Sequence, residues 1–266
     1  MVAPYVSQGG TAVLHGTLGS VDRVELLLSS YPFCDLTPAA VEHLADTTRS
    51  KHYDTGSFVF HVGDPADALY IVADGQLKEC LVSAHGEELN FEIFTTGAVF
   101  GEPGLFAPER NRVVDVVAMT PTQLLIVPRD ALVDFALGHP PVLLRLLEGF
   151  AAQVRSLTED AAGLAYHPIR ERLAIKLLEL AATHGQPGSD GVRIVLDITQ
   201  SQLAAMIGAS RPNVNRALAS LAAEHAVVSN NGRVRFVDPA RLAAFANRST
   251  VLHRRNRILA PSEGSA

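Results

Sequence analysis

Two arginines on one short stretch carry the most specific chemistry in this sequence. Arg211 and Arg216 fall on the outward side of a predicted helix whose Val214 and Leu218 face the other way. Guanidinium groups displayed on a helix suit phosphates and base edges, provided something braces the helix behind them. The bracing element is written just upstream, within Asp197–Ala222, DITQSQLAAMIGASRPNVNRALASLA. Thr199 and Gln202 have capping-box spacing, in which the hydroxyl takes a backbone amide and the glutamine reaches back. Leu203, Ala204 and Ile207 form an apolar stripe at helical spacing. Gly208 stands where the helix must stop and the chain turn, a place for positive φ. Ser210 is a suitable N-cap for the second helix. This is the layout of a helix-turn-helix, whose second helix enters the major groove. An αα-corner buried in a core has the same glycine and apolar period. The outward arginines weigh against it, as does a following hairpin, Ala226–Ser229 and Arg233–Val237 around Asn230-Asn231-Gly232, with its primed-turn Asn-Gly. Helix-turn-helix plus hairpin makes a winged module.

The charge is distributed to match. The net formal charge of −6 averages two unlike parts. Residues 1–166 hold 9 Lys/Arg against 21 Asp/Glu, and residues 167–266 hold 13 against 7. The basic part contains the helix-turn-helix and would supply the salt-dependent share of DNA affinity, while the acidic part would be repelled by phosphate.

Along the rest of the chain, residues 1–20 read as a loose arm. Helices are expected at Val21–Ser30 and Pro38–Thr48, the second with Thr37 as its cap. Short strands punctuated by glycines then follow: Ser57–His61, Ala68–Val72, Gln76–Ser83, Leu89–Phe94, Val113–Ala118 and Gln123–Val127. That spacing indicates an antiparallel sandwich or barrel. Helical texture returns at Arg129–Leu137 and Pro140–Ala165. In the latter, Leu143, Leu147, Phe150, Val154, Leu157, Ala161 and Leu164 alternate spacings of four and three, an a/d seam that suits a twofold dimer, with packing on its own barrel as the alternative. Tyr166-His167-Pro168 interrupts this pattern and marks a hinge. Pro168–His184 reads as a support helix, Gly185–Gly191 as a turn-rich connection. The tail from Arg248 is basic. The expected domains are thus 21–138, a β-roll with flanking helices; 139–166, a dimerisation helix; 167–247, a winged helix-turn-helix; and 248–266, the tail.

Other classes are disfavoured. No apolar run has membrane-spanning length, and the N-terminus lacks the basic start and apolar block of a secretory signal. Cys34 and Cys80 are too few for a four-thiolate cluster and read as buried free thiols of a cytoplasmic protein. No nucleophile–base pair, metal cluster or phosphate-loop signature points to an enzyme.

The chain resembles the CRP/FNR family of bacterial transcription regulators. In the barrel the likeness rests on Gly56, Gly63-Asp64, Leu69-Tyr70, Gly75, Gly97, Phe100-Gly101-Glu102, Gly104-Leu105-Phe106, Arg112 and Ala118; beyond it, on ITQSQLAAMIGASRPNVNRAL. The resemblance implies an α+β chain: an N-terminal jelly roll of cyclic-nucleotide-binding type, a long dimerisation helix and a C-terminal winged helix-turn-helix. It makes Gly101–Ala118 a phosphate-binding cassette. Gly101 and Gly104 would supply amides, Arg112 would pair with the cyclic phosphate, and Glu102 would accept from a ribose hydroxyl, with Pro103, Val113 and Thr158 alongside. Cyclic AMP is the implied effector, with no metal. Implied partners are palindromic double-stranded DNA, a second copy of the chain and RNA polymerase. Arg211 and Arg216 align with base-contacting positions, flanked by Pro212, Asn213 and Asn215, while Thr199, Gln200 and Ser210 would contact phosphates. Four departures alter this chemistry. Val113 replaces a hydroxyl donor after the cassette arginine, and Pro103 an apolar residue. Leu157 replaces one of two base-reading hydroxyls, and Pro212 a cytosine-reading glutamate. A regulator using another ligand or none, or a ligand-binding module acting on a partner protein, therefore remain as alternatives.

Overall fold

A computed structural model describes residues 20–86, 88–188, 191–196, 198–230 and 233–246. The arm, except Ser20, the Asn231-Gly232 turn and the basic tail from 248 lie outside the described residues. The chain divides into two compact units, Met1–Ser156 and Leu157–Ala266.

The first unit opens with helices α1 (Ser20–Ser29) and α2 (Pro38–Thr47). Thr37 occupies the cap position of α2, but its hydroxyl makes no capping hydrogen bond. Pro38 supplies the preset first-turn φ instead. Eight strands follow: β1 (Arg49–Tyr53), β2 (Phe58–Phe60), β3 (Ala68–Asp74), β4 (Gln76–Val82), β5 (Glu88–Thr95), β6 (Val99–Phe100), β7 (Asp115–Ala118) and β8 (Thr122–Pro128). A short helix, α3 (Glu102–Phe106), lies between β6 and β7, and α4 (Arg129–Gly138) and α5 (Pro140–Tyr166) close the series. The strands form two antiparallel sheets ordered β1-β8-β3-β6 and β2-β7-β4-β5, the jelly-roll arrangement. Two strands escaped the sequence reading. β1 is largely polar, and β6 has two residues.

Strands β3 and β8 read as unbroken apolar runs because both their faces are buried. Tyr70, Val72, Leu124 and Ile126 face the interior between the sheets, with Phe60, Leu77, Phe94 and Phe100. Leu69, Ile71, Leu125 and Val127 face a second core built with α1, α2 and α4, which Val142 and Leu146 of α5 join. The first turns of α5 are thereby fixed on the β-roll. Of the two free thiols, Cys80 is buried as expected. Cys34 is only half-buried and accepts a hydrogen bond from Arg145 Nη1 at 2.7 Å.

The second unit continues α5 to Tyr166 and adds α6 (Ile169–His184), α7 (Gln200–Met206), α8 (Arg211–Ala223) and α9 (Pro239–Ala246). Its sheet is ordered β11-β12-β10-β9, with β9 (Gly185–Gly188), β10 (Gly191–Ile194), β11 (Val227–Asn230) and β12 (Arg233–Val237). The expected turn-rich connection is therefore half of a hairpin. Its residues Gly-Gln-Pro-Gly carry no strand preference, and pairing with Val192 and Arg193 imposes the extended form.

Candidate effector pocket and DNA-reading helix

The cassette is assembled around one buried cation. β6 ends at Gly101, whose φ of 94° is left-handed and glycine-favouring. A Cβ there would stand 2.8 Å from Arg112 Nη1, so glycine is also what lets the guanidinium approach. Arg112 is held at both ends. Its backbone amide donates to the Asp64 carbonyl at 2.8 Å, and its own carbonyl accepts from the Gly63 amide at 2.8 Å. The side chain is 3% exposed. Nη1 donates to the Gly101 carbonyl at 2.9 Å and Nη2 to the Ala68 carbonyl at 2.8 Å. Asp67 Oδ1 lies 3.8 Å away. The guanidinium rests over the rings of Phe60 and Tyr70, at 4.3 and 5.2 Å from their centroids. Among the described residues its Nε–H has no partner. Burial lowers the pKa of this group, while Tyr70, Asp67 and Asp64 oppose the shift. A buried donor left unpaired costs about 1–3 kcal/mol, and an anion entering beside it would recover that.

The other expected pocket residues divide. Glu102 follows Gly101 directly, half-buried, and its carboxyl is pushed up to about 7, chiefly by burial. Pro103 sits in the first turn of α3, and Gly104 is buried on it. Val113 is 51% exposed on the loop after Arg112. Thr158 is exposed on α5, in the second unit. The sequence reading missed Phe60, Tyr70 and the Ala68 carbonyl, which hold the arginine from β2 and β3.

Two contacts link the cassette helix to the elements behind it. Arg129 Nε, at the start of α4, donates to the Leu105 carbonyl at 2.9 Å. Phe106 meets Phe150 of α5 edge-on, with centroids 5.9 Å apart. Phe150 and Leu143, both expected in the seam, are thus half-buried against their own β-roll. The remaining seam positions are exposed in the single chain, including Leu147, Val154, Leu157, Ala161 and Leu164.

In the second unit the capping box forms as read. The Thr199 amide donates to Gln202 Oε1 at 2.8 Å, and the Gln202 amide to Thr199 Oγ1 at 3.3 Å. Thr199→Ala should lower the stability of this unit by about 1 kcal/mol, measured in its urea unfolding transition; an unchanged midpoint would show that the cap is idle. Gly208 has a φ of 57°, and Arg172 of α6 donates to the neighbouring Ile207 carbonyl at 2.8 Å. Val214 and Leu218 are buried. Arg211, Pro212, Asn215 and Arg216 are exposed, Asn213 half-buried, and Asn213 Oδ1 accepts from Arg216 Nη2. Ser210 stands at the N-cap of α8, but its hydroxyl makes no capping bond. It is exposed, and Thr199 and Gln200 lie half-buried at the start of α7.

Comparison with known proteins agrees with this geometry. Residues 50–139 match the cyclic nucleotide-binding domain model and residues 171–245 the Crp-like helix-turn-helix domain model. The chain is 30% identical over 222 residues to the CRP-like cAMP-activated global transcriptional regulator of Mycobacterium tuberculosis (strain CDC 1551 / Oshkosh), covering 84% of this chain and 99% of that protein. The chain belongs to the CRP/FNR family. It is a CRP-like transcription regulator with a cyclic nucleotide-binding domain and a DNA-binding helix-turn-helix. Another family relative is the global nitrogen regulator of Synechococcus elongatus, 28% identical over 73% of this chain and 87% of that protein. Among solved structures, a CRP/FNR-family transcriptional regulator from Thermus thermophilus is 25% identical with a TM-score of 0.59, over 76% of this chain and all of that one. No helix among the described residues is long and apolar enough to cross a membrane.

Proposed function

We propose that this CRP/FNR regulator is a cytoplasmic homodimer in which cyclic AMP, bound in the β-roll, promotes recognition of a palindromic operator and engagement of RNA polymerase. The observation that carries the reading is Arg112: a buried guanidinium beside Gly101 and Glu102 whose Nε–H no described residue pairs. A cyclic phosphodiester is a compact anion without a proton, and a planar cation is its complement. In this reading Arg112 takes the phosphate, Glu102 the ribose hydroxyl, Gly101 and Gly104 keep the approach narrow, Pro103 and Val113 flank it, and Thr158 reaches the base. The cAMP-activated relative supports the choice of ligand. The exposed apolar positions of α5, Leu147, Val154, Leu157, Ala161 and Leu164, would pair across a twofold axis, with Leu143 and Phe150 anchoring the same helix at its start. The effector domain would span 21–138 and the dimerisation helix 139–166. The DNA-binding domain, 167–247, would turn about Tyr166–Pro168.

Arg211 and Arg216 would read base edges, with Pro212, Asn213 and Asn215 setting their surroundings and Thr199, Gln200 and Ser210 placing the helix on phosphates. Pro212 has no side-chain acceptor, so one base of the half-site would be relaxed relative to relatives that carry glutamate there. Cyclic AMP must favour the DNA-competent state over the other, because equal affinity shifts nothing. The Phe106–Phe150 contact provides a route, since α3 carries one ring and α5 the other. Operator binding by the full chain, followed by fluorescence anisotropy, should tighten about tenfold with saturating cyclic AMP, a coupling of about 1.4 kcal/mol. Phe106→Ala should still bind the nucleotide but lose most of that gain. Equal operator affinity with and without the nucleotide would remove gating from the proposal.

A further inference from the structure

The chain turns at Gly208, but local interactions fix only weakly the angle at which α8 leaves that turn. Gly208 takes its φ of 57° without strain, so it permits the turn rather than holding it. The Ile207 amide donates to the Leu203 carbonyl at 3.2 Å and the Ala209 amide to the Ala204 carbonyl at 2.9 Å. Both bonds close the end of α7. At the start of α8, the Ser210 hydroxyl makes no capping bond. Further along, α8 is held by buried Val214, Ala217, Leu218 and Leu221. Apolar burial is not directional. It keeps the helix down on its support without setting its tilt.

A directional tie enters the turn from another helix. Arg172 closes the first turn of α6, where its amide donates to the Pro168 carbonyl at 3.1 Å. From there its Nη1 donates to the Ile207 carbonyl at 2.8 Å. Ile207 is the C-cap residue of α7, and the last carbonyls of a helix have no partner within it. A guanidinium answers such a carbonyl with a charge-assisted bond of defined direction. Arg172 is half-buried, and among the described residues its buried Nε–H has no partner. Burying that donor is unfavourable, and the bond to Ile207 is set against it. A Cβ on Gly208 would lie 3.8 Å from Arg172 Nη1, so the guanidinium reaches the turn itself and not only the helix before it.

We propose that Arg172 is a positioning residue for DNA reading: by tying the α7–α8 turn to α6, it sets the angle at which α8 presents Arg211 and Arg216. The inference rests on the reading that those two arginines contact base edges. A bidentate arginine–guanine pair needs both of its bonds at once, and such constellations tolerate displacements of only about 0.5 Å. Loosening the turn therefore costs sequence discrimination before it costs affinity for DNA as such. The latter comes from phosphate neutralisation by the basic residues of this part of the chain and depends little on the tilt of one helix. Because Arg172 also closes the first turn of α6 beside Pro168, the reading helix would follow any movement of α6 at the hinge.

Two variants of the full chain test this. Arg172→Met keeps an unbranched stem and removes the donor, while Arg172→Lys keeps a charged donor. The probe is the duplex that the wild-type chain enriches from a randomised pool, set against a scrambled duplex of the same composition. Both are titrated by fluorescence anisotropy in saturating cyclic AMP. The readout is the ratio of the two affinities, because partial unfolding removes active protein from both titrations alike and leaves the ratio unchanged. Arg172→Met should lower the ratio about tenfold, the discrimination of one good base contact. Its affinity for the scrambled duplex, and the salt slope of that affinity, should stay as in the wild type. Arg172→Lys should recover most of the ratio. An unchanged ratio in Arg172→Met, an equal loss on both duplexes, or a lysine variant no better than the methionine one overturns the inference and leaves the reading of α8 standing. If the wild-type chain enriches no sequence from the pool, both fall.

Discussion

Arg112→Ala is expected to abolish cyclic nucleotide binding, lowering affinity by about 10²- to 10⁴-fold in calorimetric titration. Two hydrogen bonds from a buried cation to a phosphate contribute about 1.5–3 kcal/mol each, and each 1.4 kcal/mol is tenfold. The guanidinium already lies in place, stacked on Phe60 and Tyr70 and bonded to two carbonyls. Little ordering remains to be done when ligand arrives. Alanine also strands the Gly101 and Ala68 carbonyls, so the β-roll should lose stability as well. Arg112→Lys separates the effects. It keeps a charge but cannot span both carbonyls and present a third donor, so it should fold while binding weakly. An unchanged cyclic AMP titration in either variant would show that the ligand lies elsewhere.

Arg211→Ala combined with Arg216→Ala is expected to eliminate sequence-specific DNA binding while leaving fold and dimerisation unchanged. A bidentate arginine–guanine pair gives about 1–3 kcal/mol of discrimination, so the double variant should lose roughly 30- to 10⁴-fold in operator affinity. Both side chains are exposed. The Tm should therefore move by no more than a surface substitution moves it. Weak, salt-sensitive binding to any duplex should persist, because the basic balance of residues 167–266 is retained. Asn213 accepts from Arg216, so Asn213→Ala should weaken operator binding in the same direction by freeing the guanidinium. A retained footprint in the double variant would mean that α8 is not the reading helix.

What could be read in the sequence followed the range of the interactions. The Thr199–Gln202 box and the turn at Gly208 are settled within a few residues, and both appear as read. Arg112 was marked by its place in a motif, yet its partners come from β2, β3 and the loops beside them, brought together by strand pairing. Ser210 shows a limit of local rules, since its hydroxyl makes no cap although its position is right. The β9–β10 hairpin left no trace in the sequence, because the residues of β9 prefer turns.

Leu164 stands in two places at once. It belongs to the exposed seam of α5, and a Cβ on Gly208 would come within 2.9 Å of its Cδ2. Any side chain at position 208 would carry the strain of a positive φ and would push aside the end of Leu164. The turn ahead of α8 and the exposed apolar face of α5 therefore share one leucine, so that a change in the turn would be felt on the face that the proposed dimer would use.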